Sequence, residues 1–109
     1  MVIKGEIFAI QNLGNYPNPF SGLTHFVFEH NHPDELMNVE ISIFNTAGAL
    51  AKTIKETFTP GGSRSSDITW DGTDNGGSPL PSGVYVYRMN ISTEKGYKTS
   101  AYQKLVIIR

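Results

Sequence analysis

The chain has 109 residues, with 11 glycines, 6 prolines and no cysteine. Nine Lys and Arg residues nearly balance ten Asp and Glu residues, for a formal net charge of −1, so the chain lacks the basic excess expected of a nucleic-acid-binding protein. The length predicts one domain, and the absence of cysteine excludes disulfides, thiol catalysis and cysteine-ligated zinc.

The start of the chain is interpreted as an N-terminal segment or linker over residues 1–12, in which residues 7–10 form a short opening strand. Its first six residues lack the long apolar region and the cleavage site of a secretory signal. No apolar run approaches the ~20 residues that cross a bilayer as a helix, so direct membrane insertion is not expected. The protein is then either cytoplasmic or a piece of a longer exported chain, and we favour the second interpretation.

Residues 15–20, with the sequence Asn-Tyr-Pro-Asn-Pro-Phe, predict a rigid corner. The two prolines fix their own φ angles and push Tyr16 and Asn18 towards extended conformations, which excludes a helix. Phe20, which follows Pro19, is expected to be buried as the anchor of this corner.

Hydrophobic alternation predicts strands in the first half of the chain. Inward-facing residues recur at every second position in two runs, Thr24-x-Phe26-x-Phe28 and Val39-x-Ile41-x-Ile43. Gly48 supplies the positive φ of a tight turn. Residues 49–58 are predicted to form the returning strand. A helix is the alternative there, because Leu50, Ile54 and Phe58 are spaced four apart.

The second half continues the same pattern. Residues 66–70 predict a short strand that places Trp70 in the core, and residues 71–83 are turn formers. From Val84 one face of a strand carries Tyr85, Tyr87, Met89 and Ile91. A hairpin turn at residues 94–97 then leads into the last strand, residues 99–108. About seven strands and no convincing helix predict an all-β fold, an immunoglobulin-like β-sandwich.

The candidate metal sites have simpler explanations. The only cluster of possible ligands is His25, His30, His32, Asp34 and Glu35. Pro33 breaks the strand on which two of these histidines would share a face, so a solvated loop is favoured over a metal site. Residues 71–77 resemble a calcium loop, but Ser82 stands where an EF-hand needs Glu, and Asx-type turns explain the composition better.

No catalytic residue and no cofactor are predicted. The chain has no Gly-x-Ser-x-Gly elbow and no phosphate-binding loop, and the spacing of its Asp and His residues does not single out a catalytic pair. Exposed aromatic residues on a sandwich would favour a carbohydrate-binding module instead. The candidate platform is Tyr16, Trp70, Tyr85 and Tyr87.

The last strand leaves two interpretations open. Leu105, Val106, Ile107 and Ile108 are consecutive apolar residues. Such a strand is either buried on both faces or meets another protein through one face or its free edge. Strand exchange through such an edge would also produce a homodimer.

These motifs together resemble the C-terminal sorting domain of proteins exported by the type IX secretion system, over residues 13–109. The resemblance is carried by the corner at residues 15–20, the two alternating runs, Trp70-Asp71-Gly72-Thr73-Asp74, Leu80-Pro81-Ser82-Gly83-Val84-Tyr85 and the closing residues. The sequence Phe28-Glu29-His30-Asn31 is most similar to the domain of the sortase of that system. Related β domains of flagellar hook-capping proteins share some of these elements, so an assembly module is a further alternative.

The resemblance implies a non-catalytic export signal that passes through the periplasm and docks at the outer membrane on the cell surface. Its expected partners are the outer-membrane shuttle PorV and other components of the system. In a sortase the domain would stay attached as a tether. The implied export determinant is Lys104, Leu105, Val106, Ile107, Ile108 and Arg109. The resemblance implies a structural role for Asn18, Pro19, Gly48, Trp70, Gly83 and Tyr85.

Overall fold

The computed structural model describes residues 10–30, 36–58 and 68–109, and the regular elements within them are all strands. The strands in chain order are β1 (Ile10–Tyr16), β2 (Thr24–His30), β3 (Met37–Phe44), β4 (Leu50–Phe58), β5 (Ile68–Trp70), β6 (Gly83–Thr93) and β7 (Lys98–Ile107). They form two antiparallel sheets, ordered β1-β2-β5 and β4-β3-β6-β7. The prediction of an all-β fold with about seven strands is confirmed. The described residues contain no helix that could span a membrane.

The core lies between the two sheets, and the predicted alternation accounts for most of it. Every second side chain of β2, β3 and β6 points inward, because successive residues of a strand face opposite sides of its sheet. The buried apolar side chains are Phe20, Phe26, Phe28, Met37, Val39, Ile41, Ile43, Ile68, Trp70, Tyr85, Tyr87, Met89, Ile91, Leu105 and Ile107.

The region predicted as a returning strand is β4, and the helical alternative is wrong. β4 pairs with β3 from Leu50 to Phe58, with one shift in register beside Phe44, so the backbone groups that face β3 are hydrogen-bonded across the sheet. Gly48 takes the predicted positive φ, at 87°, and the Asn45 side chain accepts hydrogen bonds from the Ala47 and Ala49 amides. Leu50, at the start of β4, is exposed on the outer side of the sheet.

The start of the domain differs from the sequence prediction. β1 begins at Ile10 and continues into the predicted corner as far as Tyr16. A bulge interrupts its pairing with β2, and Asn12 within the bulge has φ of 55°. Both X-Pro bonds of the corner are cis. The remainder of the predicted opening strand, residues 7–9, lies outside the described residues, as do residues 31–35 and 66–67.

Candidate functional site

The closing segment, residues 104–109, is the strongest candidate for a functional site. Its first residues continue β7, which pairs with β6 so that Leu105 lies opposite Tyr85 and Ile107 opposite Gly83. Leu105 and Ile107 are buried, whereas Ile108 is 52% exposed. Of the two open interpretations, burial on both faces therefore does not hold. One face of the segment belongs to the core, and the other remains partly accessible.

The free edge of the closing segment is covered by the proline-rich corner. Phe20 forms a parallel bridge to Ile107. Its amide donates to the Val106 carbonyl (3.1 Å), and its carbonyl accepts from the Ile108 amide (2.8 Å). These backbone groups are thus already paired inside the chain, so an added strand would have to displace the corner there.

The Asn18 side chain extends this contact. Its NH2 group donates to the Lys104 carbonyl (3.1 Å), and its Oδ1 accepts from the Val106 amide (2.9 Å). The amide group therefore pairs with β7 as the backbone of a neighbouring strand would. Asn18 and Pro19 were predicted to serve the fold, and the structure places Asn18 directly on the closing segment.

Arg109 is held by the loop that follows β5. Its amide donates to the Ser82 hydroxyl (2.7 Å), and its guanidinium donates to the carbonyls of Gly72 (2.7 Å) and Leu80. Gly72 has φ of 79°, and a Cβ atom there would lie 2.6 Å from the Arg109 Nη2 atom. A glycine at this position therefore allows the guanidinium to approach the backbone.

A network of polar groups connects the core to Asn18. The Tyr87 hydroxyl and the Asn18 NH2 group both donate to the Asn15 Oδ1 atom, each at 3.3 Å. The Asn15 NH2 group donates to the Thr24 hydroxyl (3.0 Å), which donates to the Pro17 carbonyl (2.8 Å). This network positions the corner against β2 and β6, and so indirectly positions the closing segment.

Replacing Asn18 by Ala is expected to lower the free energy of unfolding by about 1–3 kcal/mol, because two hydrogen bonds to β7 are lost together. Urea unfolding would measure the loss, and hydrogen exchange would show faster exchange of the Val106 amide. Asn18→Asp keeps the acceptor for that amide and should protect it better than Asn18→Ala. Unchanged Val106 exchange in Asn18→Ala would contradict the assigned contact.

The burial of Tyr87 predicts a loss of stability at alkaline pH. Burial raises the pKa of the Tyr87 phenol above its ordinary value. The folded protein therefore retains a proton that the unfolded chain releases above about pH 10, and stability declines as the pH rises beyond that value. Melting temperatures between about pH 8 and pH 11 should fall less steeply in Tyr87→Phe. Equal slopes in the two proteins would contradict this assignment.

The turn-rich stretch after β5 contains the predicted Asx-type turns. Asp71 Oδ1 accepts hydrogen bonds from the Thr73 hydroxyl (2.6 Å) and amide (3.3 Å), and the hydroxyl contact is the main reason that the pKa of Asp71 is lowered. Asp74 Oδ1 accepts from the Gly76 and Ser78 amides, both at 2.9 Å. Among the described residues, no group of three or more His, Asp or Glu side chains could hold a metal ion. Of the histidine cluster, His32, Asp34 and Glu35 fall outside those residues.

The predicted aromatic platform does not form. Trp70, Tyr85 and Tyr87 are buried in the core, whereas Tyr16 is exposed. Trp70 donates to the Thr73 carbonyl (2.9 Å), and the Tyr85 hydroxyl donates to the Pro81 carbonyl (2.8 Å). These side chains therefore support the fold and the loop that holds Arg109.

Comparison with known proteins identifies the fold. The sequence profile of the FlgD Ig-like domain matches residues 15–95, while no curated protein matches the chain. Among solved structures, dimeric latent PorU from Porphyromonas gingivalis aligns with a TM-score of 0.78 and 24% identity over 93% of this chain. The chain spans only 9% of that PorU chain. CopC from Methylosinus trichosporium OB3b aligns with a TM-score of 0.53 and 14% identity, over 91% of this chain and 93% of CopC. At these identities the structural matches support the fold, and the predicted immunoglobulin-like sandwich is confirmed.

Proposed function

We propose, from the premise that the chain belongs to the FlgD Ig-like domain family, that it is a non-catalytic export and docking domain of the type IX secretion system. In this proposal the domain reaches the cell surface through the periplasm and associates with the outer membrane through the shuttle PorV. The resemblance of Phe28-Glu29-His30-Asn31 to the sortase of that system implies a domain that stays attached as a tether, and the shared fold with a small part of PorU agrees with it.

The observation that carries the proposal is the construction of the closing segment. Three separate stretches of sequence hold it, namely the corner through Asn18 and Phe20, β6, and the loop that contains Gly72 and Ser82. They leave Ile108 exposed while Leu105 and Ile107 are buried. A partner would therefore meet a segment whose conformation is already ordered, which lowers the entropic cost of binding.

Surface delivery of a fused reporter tests the proposal. The reporter is placed ahead of residue 1, with an inner-membrane export signal, in a strain with a working type IX system. Deletion of residues 105–109 is expected to abolish surface delivery. If the domain is retained as a tether, the intact chain should remain joined to the reporter at its full length on an immunoblot.

The deletion also removes two core residues, so it needs a control with a comparable loss of stability. Ile91 is buried on β6, at the far end from the closing segment. Ile91→Ala should cost about 2–5 kcal/mol and still allow surface delivery. Delivery that persists without residues 105–109, or that is lost equally in Ile91→Ala, would contradict recognition of this segment.

The family match also supports a second candidate, an assembly module like the hook-capping proteins for which the family is named. This function would require ordered multimers in solution, whereas an export and docking domain would be a monomer or a loose dimer. Sedimentation analysis distinguishes the two.

The carbohydrate-binding alternative was motivated by an exposed aromatic platform, and that platform is absent because three of its four aromatic residues are buried.

A further inference from the structure

One end of the outward face of the β4-β3-β6-β7 sheet is apolar. The strand registers place Leu50 opposite Phe44, Phe44 opposite Val86, and Val86 opposite Lys104. Directly paired residues project to the same side of a sheet, so these four side chains form one row across all four strands. In the adjoining rows, Val84 lies opposite Val106, and Arg88 lies opposite Tyr102.

The apolar side chains of these rows form what we call the apolar patch: Phe44, Leu50, Val84, Val86, Tyr102 and Val106. Phe44 and Val106 are half-buried, and the other four are between 37% and 62% exposed. The patch includes the outward side of the closing segment through Val106. It is therefore continuous with the candidate functional site.

The other end of the same face is polar and lines an open groove. It carries Asn38, Asn90, Ser92 and Ser100, among other polar side chains. A sheet face that meets only water is expected to be polar along its whole length. Contiguous exposed apolar side chains instead mark an interaction surface. The contrast between the two ends of one face therefore points to the apolar patch as an interaction surface.

The charges at the patch are cationic. Arg88 and Lys104 border it, and none of its rows contains a carboxylate. The Arg88 Nε atom is buried and has no hydrogen-bond partner among the described residues. A carboxylate of a partner placed over the patch would meet the positively charged side chains of Arg88 and Lys104 at its border.

We propose that the apolar patch is the docking surface for a protein partner whose own surface combines an apolar centre with carboxylates. The inference rests on the proposed function, because it takes the outer-membrane shuttle as the partner. It adds the face of the sandwich that makes the contact.

Two other occupants fit less well. A second copy related by two-fold symmetry would bring the same two cations, Arg88 and Lys104, to the patch and no carboxylate from its rows. A membrane is disfavoured because two of the six apolar side chains are half-buried, which leaves little apolar surface to bury in the lipid interface.

Binding of the full chain to purified PorV in detergent micelles tests the inference with two matched pairs of variants. Val86→Glu is compared with Asn90→Glu, since both residues face outward on β6. Lys104→Glu is compared with Lys98→Glu, both outward on β7. The first of each pair should weaken binding at least about tenfold, because an added carboxylate meets the carboxylates of the partner, and the second by less than about threefold. If Val86→Glu does not fold, the double variant Val84→Thr and Val86→Thr keeps the strand shape and should weaken binding in the same direction.

Several results would overturn the inference. If the unaltered chain binds PorV and all four variants bind within threefold of it, the contact lies elsewhere and the proposed function stands. Equal weakening in both members of each pair would mean that only long-range charge matters. Patch variants that abolish self-association or binding to anionic lipid vesicles, and leave PorV binding intact, would assign the patch to a second copy or a membrane. No binding of the unaltered chain to PorV would remove both the inference and the partner of the proposed function.

Discussion

Replacing Leu105 by Ala is expected to lower the free energy of unfolding by about 2–5 kcal/mol, a large part of the stability of a domain of this size. The Leu105 side chain is fully buried between the sheets, opposite Tyr85. Its truncation leaves a cavity that β7 cannot collapse to fill, because the corner and β6 hold that strand on both sides. Equilibrium unfolding in urea, followed by circular dichroism, measures the change.

Ile108→Ala is the matched control, since it removes an apolar side chain from the same segment only three positions away. Ile108 is largely exposed, so its truncation should change stability by less than about 0.5 kcal/mol. If the proposed function is correct, Ile108→Ala should weaken binding to the partner more than Leu105→Ala does, because Ile108 is accessible and Leu105 is buried. A similar loss of stability in both variants would contradict the burial of Leu105 and the exposure of Ile108.

Trp70→Ala is expected to cost about 3–5 kcal/mol. The indole lies in the core 5.7 Å from the ring of Phe20 and 6.4 Å from that of Phe26, measured between centroids. Its N–H group donates to the Thr73 carbonyl, so the substitution also leaves that acceptor without its donor. The side chain thus joins β5 to both the corner and the loop that holds Arg109. Urea unfolding followed by circular dichroism measures the effect without depending on tryptophan fluorescence.

Trp70→Phe separates packing from hydrogen bonding at this position. Phenylalanine keeps most of the ring contacts and lacks the N–H donor, so the loss should be smaller, at about 1–3 kcal/mol. A cost of less than about 1 kcal/mol for Trp70→Ala would mean that the surrounding rings close the cavity unaided.

The two largest effects concern residues that carry the fold, which affects how export experiments are interpreted. Truncation of the closing segment removes core packing and an accessible surface at the same time. A loss of delivery is then informative only beside a variant that weakens the core elsewhere. Substitutions on the outward face avoid this difficulty, since Val86 and Lys104 contribute little to the core.

The elements of the fold were predictable because they depend on local patterns. The alternation of Phe26 and Phe28, or of Ile41 and Ile43, determines which side of a strand is apolar whatever that strand packs against. Gly48 similarly marks a turn through its own backbone freedom. The sequence signal was weaker for β4, where spacings of two and of four residues are both present, and pairing with β3 decided in favour of a strand.

The candidate site was predicted in its parts and not in its arrangement. The sequence alone identified the closing segment and Asn18, but their contact joins residues 86 and 88 positions apart, a separation at which no local pattern specifies a pairing. Because the apolar residues of the segment are consecutive, the sequence did not show which of them face inward. Their register with β6 determines this. The apolar patch was hidden for the same reason, because its six members come from four strands and only the order of strands in the sheet makes them neighbours. Strand identity follows from short-range sterics and periodicity, whereas the surface that a partner would meet exists only once the strands have packed.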